Sequence, residues 1–318
     1  MKNKYDLLKA IAILLVVLGH VTNHYMNALP TKALTIAIYL FHMSLFVAIS
    51  GAVFQMGLDK GKYREFLPFV ATKAKRLIVP FCATALLVLA PTIVFCGKTE
   101  LGYWGTVWNI FVGGEFIKHL WYLQALFWIF VVCWAVVKLN ANRYVLLIGA
   151  CMLSVAVSLS GVDANKYLSI GLAINKLPMF VLGMILVSSA GRKGLVEAVW
   201  WIAACLLFGS IQIISKSVQI DSIVHPLFSA SIVGLIVSLS NVAYARLKDS
   251  QFLTFLVRNS FGIYLFHMTP IYFIRYWGCD AWPLWVSVPA TFVFALVGSI
   301  AMTLLVRLCR LGVLIGEK

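Results

Sequence analysis

The sequence predicts an all-α, polytopic membrane protein of about ten transmembrane helices, one domain over residues 1–318, with both termini cytoplasmic. Three observations carry that prediction. The composition is 62% hydrophobic and 12% charged, with a mean hydropathy of +0.95, whereas soluble domains carry about 25% charged residues. The apolar residues fall in runs close to the ~20 residues a helix needs to cross a bilayer. The basic residues gather in alternate gaps between those runs.

In order, the runs are 6–26, 33–56, 78–96, 120–138, 143–160, 167–187, 196–215, 223–244, 257–276 and 283–306. The first ends in Thr22-Asn-His-Tyr-Met-Asn, not in a small-residue cleavage site, so it reads as a retained signal anchor. The gap after the second is basic, and its Phe66, Leu67, Phe69 and Val70 suggest a helix lying in the interface. The gap from Gly97 to His119 holds Tyr103, Trp104, Trp108, Phe111 and Phe116, which belong at head-group level. The sixth run is the weakest, because it contains Asn175, Lys176 and Pro178. No internal repeat or low-complexity segment stands out, and no stretch is left for a separate soluble domain.

With the N-terminus inside, nineteen of the 26 Lys and Arg lie on the inner side, six on the outer side, and Lys176 within a span. The net charge of +15 therefore sets topology and meets anionic lipid head groups or a phosphorylated substrate, and excludes nucleic acid as the reading. The seven cysteines make no CxxC and no metal spacing. Cys96 and Cys279 fall in loops on the same outer side, where a disulfide is one option.

Depth singles out His20. From Lys9 to His20 a helix rises roughly 16 Å, about half of a ~30 Å hydrocarbon core. Lys9 then lies at one surface and His20 near the middle, where an ionisable group is expensive and points to function. His42, His267, Asn175 and Lys176 fall at similar depths, and His119 stands at the outer end of the fourth run. Each has a plainer reading. A membrane histidine can be interhelical glue, and Lys176 can snorkel to an interface. The acids all lie near run ends or in loops, which counts against a proton pump and excludes a glycosidase carboxylate pair. Histidine is the base that remains, with an ordinary pKa near 6.5.

Five motifs then carry a resemblance. They are Asp6-Leu-Leu-Lys-Ala-Ile-Ala-Ile-Leu-Leu-Val-Val-Leu-Gly-His20, Phe41-His-Met-Ser-Leu-Phe-Val-Ala-Ile-Ser-Gly51, Lys73-Ala-Lys-Arg-Leu-Ile-Val-Pro80, His119-Leu-Trp-Tyr-Leu123 and Asn259-Ser-Phe-Gly-Ile-Tyr-Leu-Phe-His267. In this order, across almost the whole chain, they resemble the acyltransferase 3 family of bacterial membrane O-acyltransferases, in its compact, sugar O-acetyltransferase form. The resemblance implies transfer of an acetyl or other acyl group from cytoplasmic acyl-CoA to a hydroxyl of a cell-surface glycan or its lipid-linked precursor, in the bacterial cytoplasmic membrane.

It implies His20 as the catalytic histidine, with His119 and Trp121 near the reaction centre. Lys9, Lys73 and Arg76 are implied on the donor side, and Asp6, Asn23, His42, Ser50, Lys176 and His267 support them. No bound cofactor or metal is expected, and acyl-CoA is a co-substrate. The departures are Lys9 and Lys73 where arginine is common, Ser44 where proline is common, and Gln124 at a position often acidic. Lysine keeps the charge but loses bidentate phosphate recognition. His20 would act as general base, and the indole of Trp121, the amide of Asn23 or a protonated His119 would meet the oxyanion. Two competing readings stay open: a transporter or flippase of a small solute or lipid-linked glycan, and a structural membrane protein that keeps the fold without the chemistry.

Overall fold

The computed structural model describes residues 1–318 except 2, 162–165, 189–193, 216, 279–281 and 318. The Cys96–Cys279 pairing therefore falls outside the described residues. The described chain is helical throughout, as an apolar setting requires, because a spanning helix satisfies its own backbone.

Helix α1 (Lys4–His24) starts where the Asn3 side chain accepts from the backbone N–H groups of Tyr5 and Asp6. It is the central helix: 61% of its apolar window is buried inside the protein. It touches α2 (Leu29–Tyr39), α3 (His42–Asp59), α11 (Val218–Leu247), α12 (Gln251–Phe266) and α14 (Leu284–Leu308). Around these stand α4 (Phe66–Thr84), α5 (Ala90–Phe95), α6 (Gly102–Val112), α7 (Trp121–Lys138), α8 (Arg143–Leu159), α9 (Lys166–Ser188), α10 (Gly194–Ile214) and α13 (Met268–Tyr276). Helix α10 is peripheral, with only 6% of its window buried.

Eight of the ten expected spans coincide with helices long and apolar enough to cross a membrane. The span expected at 143–160 is α8, at 17 residues. The one expected at 257–276 is broken at His267 into α12 and α13. Pro270 has no N–H to give the Phe266 carbonyl, so the helical ladder lapses there. The run 33–56 is likewise interrupted, between Tyr39 and His42. The interfacial helix expected at Phe66–Val70 is instead the start of α4, which continues through a π-helical segment, Ala85–Leu89, into α5. Within that segment the π pattern would ask Pro91 for the N–H it lacks. The Tyr103 hydroxyl donates to the Leu86 carbonyl at 2.9 Å instead.

The closest packing joins α3 to α9. A Cβ on Gly51 would sit 1.9 Å from the Phe180 carbonyl oxygen, and one on Gly183 would sit 1.9 Å from that of Ala48. The two glycines let the backbones meet, the usual use of small residues between membrane helices. At the end of the bundle that carries the N-terminus, the C-terminal residues fold back. Arg307 donates to both Glu317 carboxylate oxygens, at 2.6 to 3.0 Å, and to the Asn259 side chain at 2.6 Å. Gly316, at φ +70°, brings this strap against the Arg76 carbonyl.

Replacing Gly51 or Gly183 by alanine forces α3 and α9 apart. Each substitution should destabilise the protein by about 1–3 kcal/mol, read as a lower unfolding midpoint of the purified protein. An unchanged midpoint would mean that the crossing is looser than described.

Candidate active site

Three histidines from distant parts of the sequence meet. The ring centroid of His20 lies 5.1 Å from that of His267 and 6.4 Å from that of His119, and His119 and His267 are 4.7 Å apart. His267 and His119 are buried, at 0% and 3% exposure, while His20 keeps part of its surface accessible.

Each of the partner histidines stands where a helix is interrupted. His267 is at the α12–α13 break, and its Nδ1–H donates to the carbonyls of Tyr264 at 2.8 Å and Ile263 at 3.1 Å. His119 lies in a 3₁₀ segment, Glu115–Leu120, just before α7. Its Nε2–H donates to the Leu265 carbonyl at 3.0 Å. A carbonyl only accepts, so these contacts set the tautomers. The opposite nitrogens, His267 Nε2 and His119 Nδ1, are left as lone pairs, buried and without a partner among the described residues. Among the described residues the three imidazoles do not form a metal-holding group.

A hexapeptide that the sequence reading passed over explains part of this geometry. Ile38-Tyr-Leu-Phe-His-Met43 recurs as Ile263-Tyr-Leu-Phe-His-Met268. Both copies straddle a helix break, and in both the histidine Nδ1–H donates to the carbonyl of the leading isoleucine; for His42 and Ile38 the distance is 2.9 Å. The first copy gives His20 its hydrogen-bond partner: the Tyr39 hydroxyl lies 3.3 Å from His20 Nδ1. The second copy gives His20 its ring neighbour His267, and the Tyr264 hydroxyl donates to the backbone carbonyl of His119. Six matching residues 225 positions apart were the signal for Tyr39 and Tyr264.

The other expected residues take varied places. His42 is buried, with its ring 4.8 Å from that of Tyr39, so it joins His20 through that tyrosine. The Ser50 hydroxyl meets that of Tyr122 at 2.9 Å, and the Tyr122 and Tyr264 rings are 5.6 Å apart. Ser50 thus touches the second layer around His119. Trp121 is half-buried beside Tyr122. Asn23 is exposed. Gln124 is satisfied locally, donating to the Phe111 carbonyl at 3.0 Å and accepting from Ser169 at 2.9 Å. Lys176 stands on α9, where its charge bears on His42 and on His225.

At the N-terminal end of α1, Lys9 pairs with Asp6 at 3.8 Å. The Arg76 charge acts on both Lys9 and Lys73. Arg76 is exposed, but Lys73 is only 8% exposed. Its Nζ lies 3.6 Å from the centroid of the Phe130 ring, 5.0 Å from that of Tyr63, 5.5 Å from that of Phe69 and 5.9 Å from that of Phe54. Burial raises the Tyr63 phenol above its ordinary range, against the opposing Arg76 charge. Tyr63 therefore stays neutral, and the lysine is held by ring faces rather than by a counter-charge. The spacing of three that made Lys73 and Arg76 look like one phosphate-facing pair hides this difference in burial.

Comparison with known proteins agrees with these features. The family model described as Acyltransferase domain, Acyl_transf_3, matches residues 2–304. The nodulation protein NolL of Mesorhizobium japonicum is 27% identical over 214 residues, which cover 64% of this chain and 52% of that protein. The match thus spans about half the length of that relative. No solved structure matches the chain. A family match over nearly the full length, on a bundle whose motif histidines converge, places the chain in the Acyl_transf_3 family of acyltransferase domains.

Proposed function

We propose that this protein is a multi-pass membrane O-acyltransferase that moves an acyl group, acetyl in the simplest case, from acyl-CoA to a hydroxyl of a cell-surface glycan or its lipid-linked precursor. The observation that carries the reading is His20: partly accessible, held by Tyr39, and faced by two histidines whose free nitrogens are acceptors.

The donor approaches at the end of the bundle that carries Lys9 and Arg76, the expected cytoplasmic face. The exposed Arg76 and half-exposed Lys9 meet its phosphates, and Lys73, set in its aromatic box, adds positive potential from behind. The pantetheine arm carries the thioester inward to His20. In the tautomer whose Nδ1–H donates to the Tyr39 oxygen, Nε2 is the base. Nε2 takes the acceptor hydroxyl proton as the oxygen bonds to the thioester carbonyl. The tetrahedral intermediate collapses, the C–S bond breaks, and the leaving thiolate takes the proton from the His20 imidazolium, which regenerates the base. The rings of His119 and His267, with centroids 6.4 and 5.1 Å away, stand beside the imidazolium formed on His20. The indole N–H of Trp121 is the proposed oxyanion donor.

His20→Ala should lower acetyl transfer by about 10²–10⁴-fold, measured with radioactive acetyl-CoA and purified, folded protein. Transfer at the wild-type rate would sink the assignment, and solute flux without labelling would favour a carrier. Tyr39→Phe removes one neutral hydrogen bond, so it should lower kcat by about tenfold at most and leave the KM for acetyl-CoA unchanged. A rise in that KM with kcat intact would move Tyr39 out of the reaction centre. Arg76→Met should raise the acetyl-CoA KM several-fold. Lys73→Met should show its main effect in stability, by about 0.5–2 kcal/mol. A larger acetyl-CoA KM effect at Lys73 than at Arg76 would reverse this division.

A further inference from the structure

Pro80 opens a gap in α4 at Arg76. A proline inside a helix has no N–H for the carbonyl four residues earlier, and Pro80 lies inside α4 four residues after Arg76. The Arg76 carbonyl therefore loses its α-helical donor, at the turn that carries the exposed Arg76 side chain. Sharp helix bends arise at such prolines. Here the chain beyond α14 folds back across the turn. The Leu311 N–H donates to the Val306 carbonyl at 3.0 Å and the Glu317 N–H to that of Gly312 at 2.9 Å, while Ile315 is buried in the core. Gly316 then lies over the gap. A Cβ there would sit 2.9 Å from the Arg76 carbonyl oxygen, 3.0 Å from the Phe261 ring and 3.4 Å from the Pro80 ring. With φ at +70° and no room for a side chain, glycine is the residue that fits. Its own N–H goes to the Val313 carbonyl at 3.1 Å, so it covers the Arg76 carbonyl by contact and not as a donor.

One guanidinium pins this strap. Arg307, in the last turn of α14, donates through Nε to both Glu317 carboxylate oxygens at 3.0 Å and through Nη2 to Glu317 Oε1 at 2.6 Å. Its Nη1 donates to Asn259 Oδ1 at 2.6 Å, and Nη2 also donates to the Arg258 carbonyl at 2.9 Å. A single side chain thus ties the strap to α12 and α14, with the fork geometry that makes arginine–carboxylate pairs directional. Arg307 and the strap lie beyond residue 304, where the family match ends.

We infer that the strap, residues 312–317, is a positioning element for Arg76: Gly316 closes the gap that Pro80 opens in α4, and the Arg307–Glu317 pair holds Gly316 there. This deepens the transferase reading and rests on it, since Arg76 matters as a proposed contact for the donor phosphates. A guanidinium recognises phosphate oxygens through fixed directions. Those directions are set by the helical turn beneath it, and that turn lacks a hydrogen bond of its own. Glu317 and Gly316 touch no donor atom in this account; they act through Arg76.

The test titrates acetyl-CoA into the full chain in lipid nanodiscs, with the unfolding midpoint as readout. Wild type is compared with Glu317→Gln, Gly316→Ala, Arg76→Met and the two double variants that combine a strap change with Arg76→Met. Glu317→Gln should weaken the acetyl-CoA half-saturation by about two- to fivefold. Gly316→Ala should weaken it by about tenfold, because alanine meets both the carbonyl and the left-handed backbone. In the Arg76→Met background neither strap change should weaken it further, since groups acting through one residue are not additive. Ligand-free midpoints report folding; if Gly316→Ala does not fold, Glu317→Gln, which alters an exposed pair, is read. Unchanged half-saturation in the folded strap variants would make the strap packing alone. An equal loss with and without Arg76 would make it a general brace. Either result, with acetyl-CoA still bound by the wild type, overturns this inference and leaves the transferase reading standing. A wild type that binds no acetyl-CoA would defeat the transferase reading and the inference with it.

Discussion

The constraint on which the structure depends is the backbone carbonyl freed by an interrupted helix in an apolar medium. Such a group has no water to turn to, and leaving it unpaired costs several kcal/mol. Here the His267 and His119 imidazoles donate to the Tyr264 and Leu265 carbonyls at the α12–α13 break, and His42 adds a second donor to the Ile38 carbonyl, which also accepts from the Phe41 N–H. One act has two results. The breaks become tolerable, and each ring is locked in one tautomer. Where that lock leaves a nitrogen unpaired, as at His119 and His267, the site gains buried acceptors beside His20. Structure and chemistry are thus the same set of hydrogen bonds.

The same logic recurs where no histidine is involved. Tyr103 answers the carbonyl that Pro91 cannot reach, and Asn259 and Glu317 answer the Arg307 guanidinium near the C-terminus. Lys73 shows a different solution. A buried ammonium without a carboxylate partner is held by ring faces from α3, α4, α7 and the Tyr63 loop. The box locks those elements together next to the exposed Arg76.

Much of this was legible in the residues. Apolar run length predicted the helices because bilayer thickness sets a length, and depth predicted His20 because ionisable groups there are costly. The run at 257–276 was read as continuous although Pro270 lies within it, since hydropathy averages over a single missing N–H. The recurrence of Ile-Tyr-Leu-Phe-His-Met was passed over because six residues do not make an architectural repeat. Its meaning is local, a helix break with a histidine to seal it.

What the sequence by itself determined was the class of molecule, the approximate spans and which polar residues lie deep, since each depends on composition along the chain. Only the tertiary structure decided which of those residues meet. Helix rotation brings His20, His119 and His267 together, sets Lys73 among rings while leaving Arg76 exposed, and sets Gln212 beside His225. Rotation about a helix axis follows from packing against neighbours, here above all the glycine-to-carbonyl contacts of α3 and α9. Depth can be counted along one helix, whereas a shared site needs at least two helices in register.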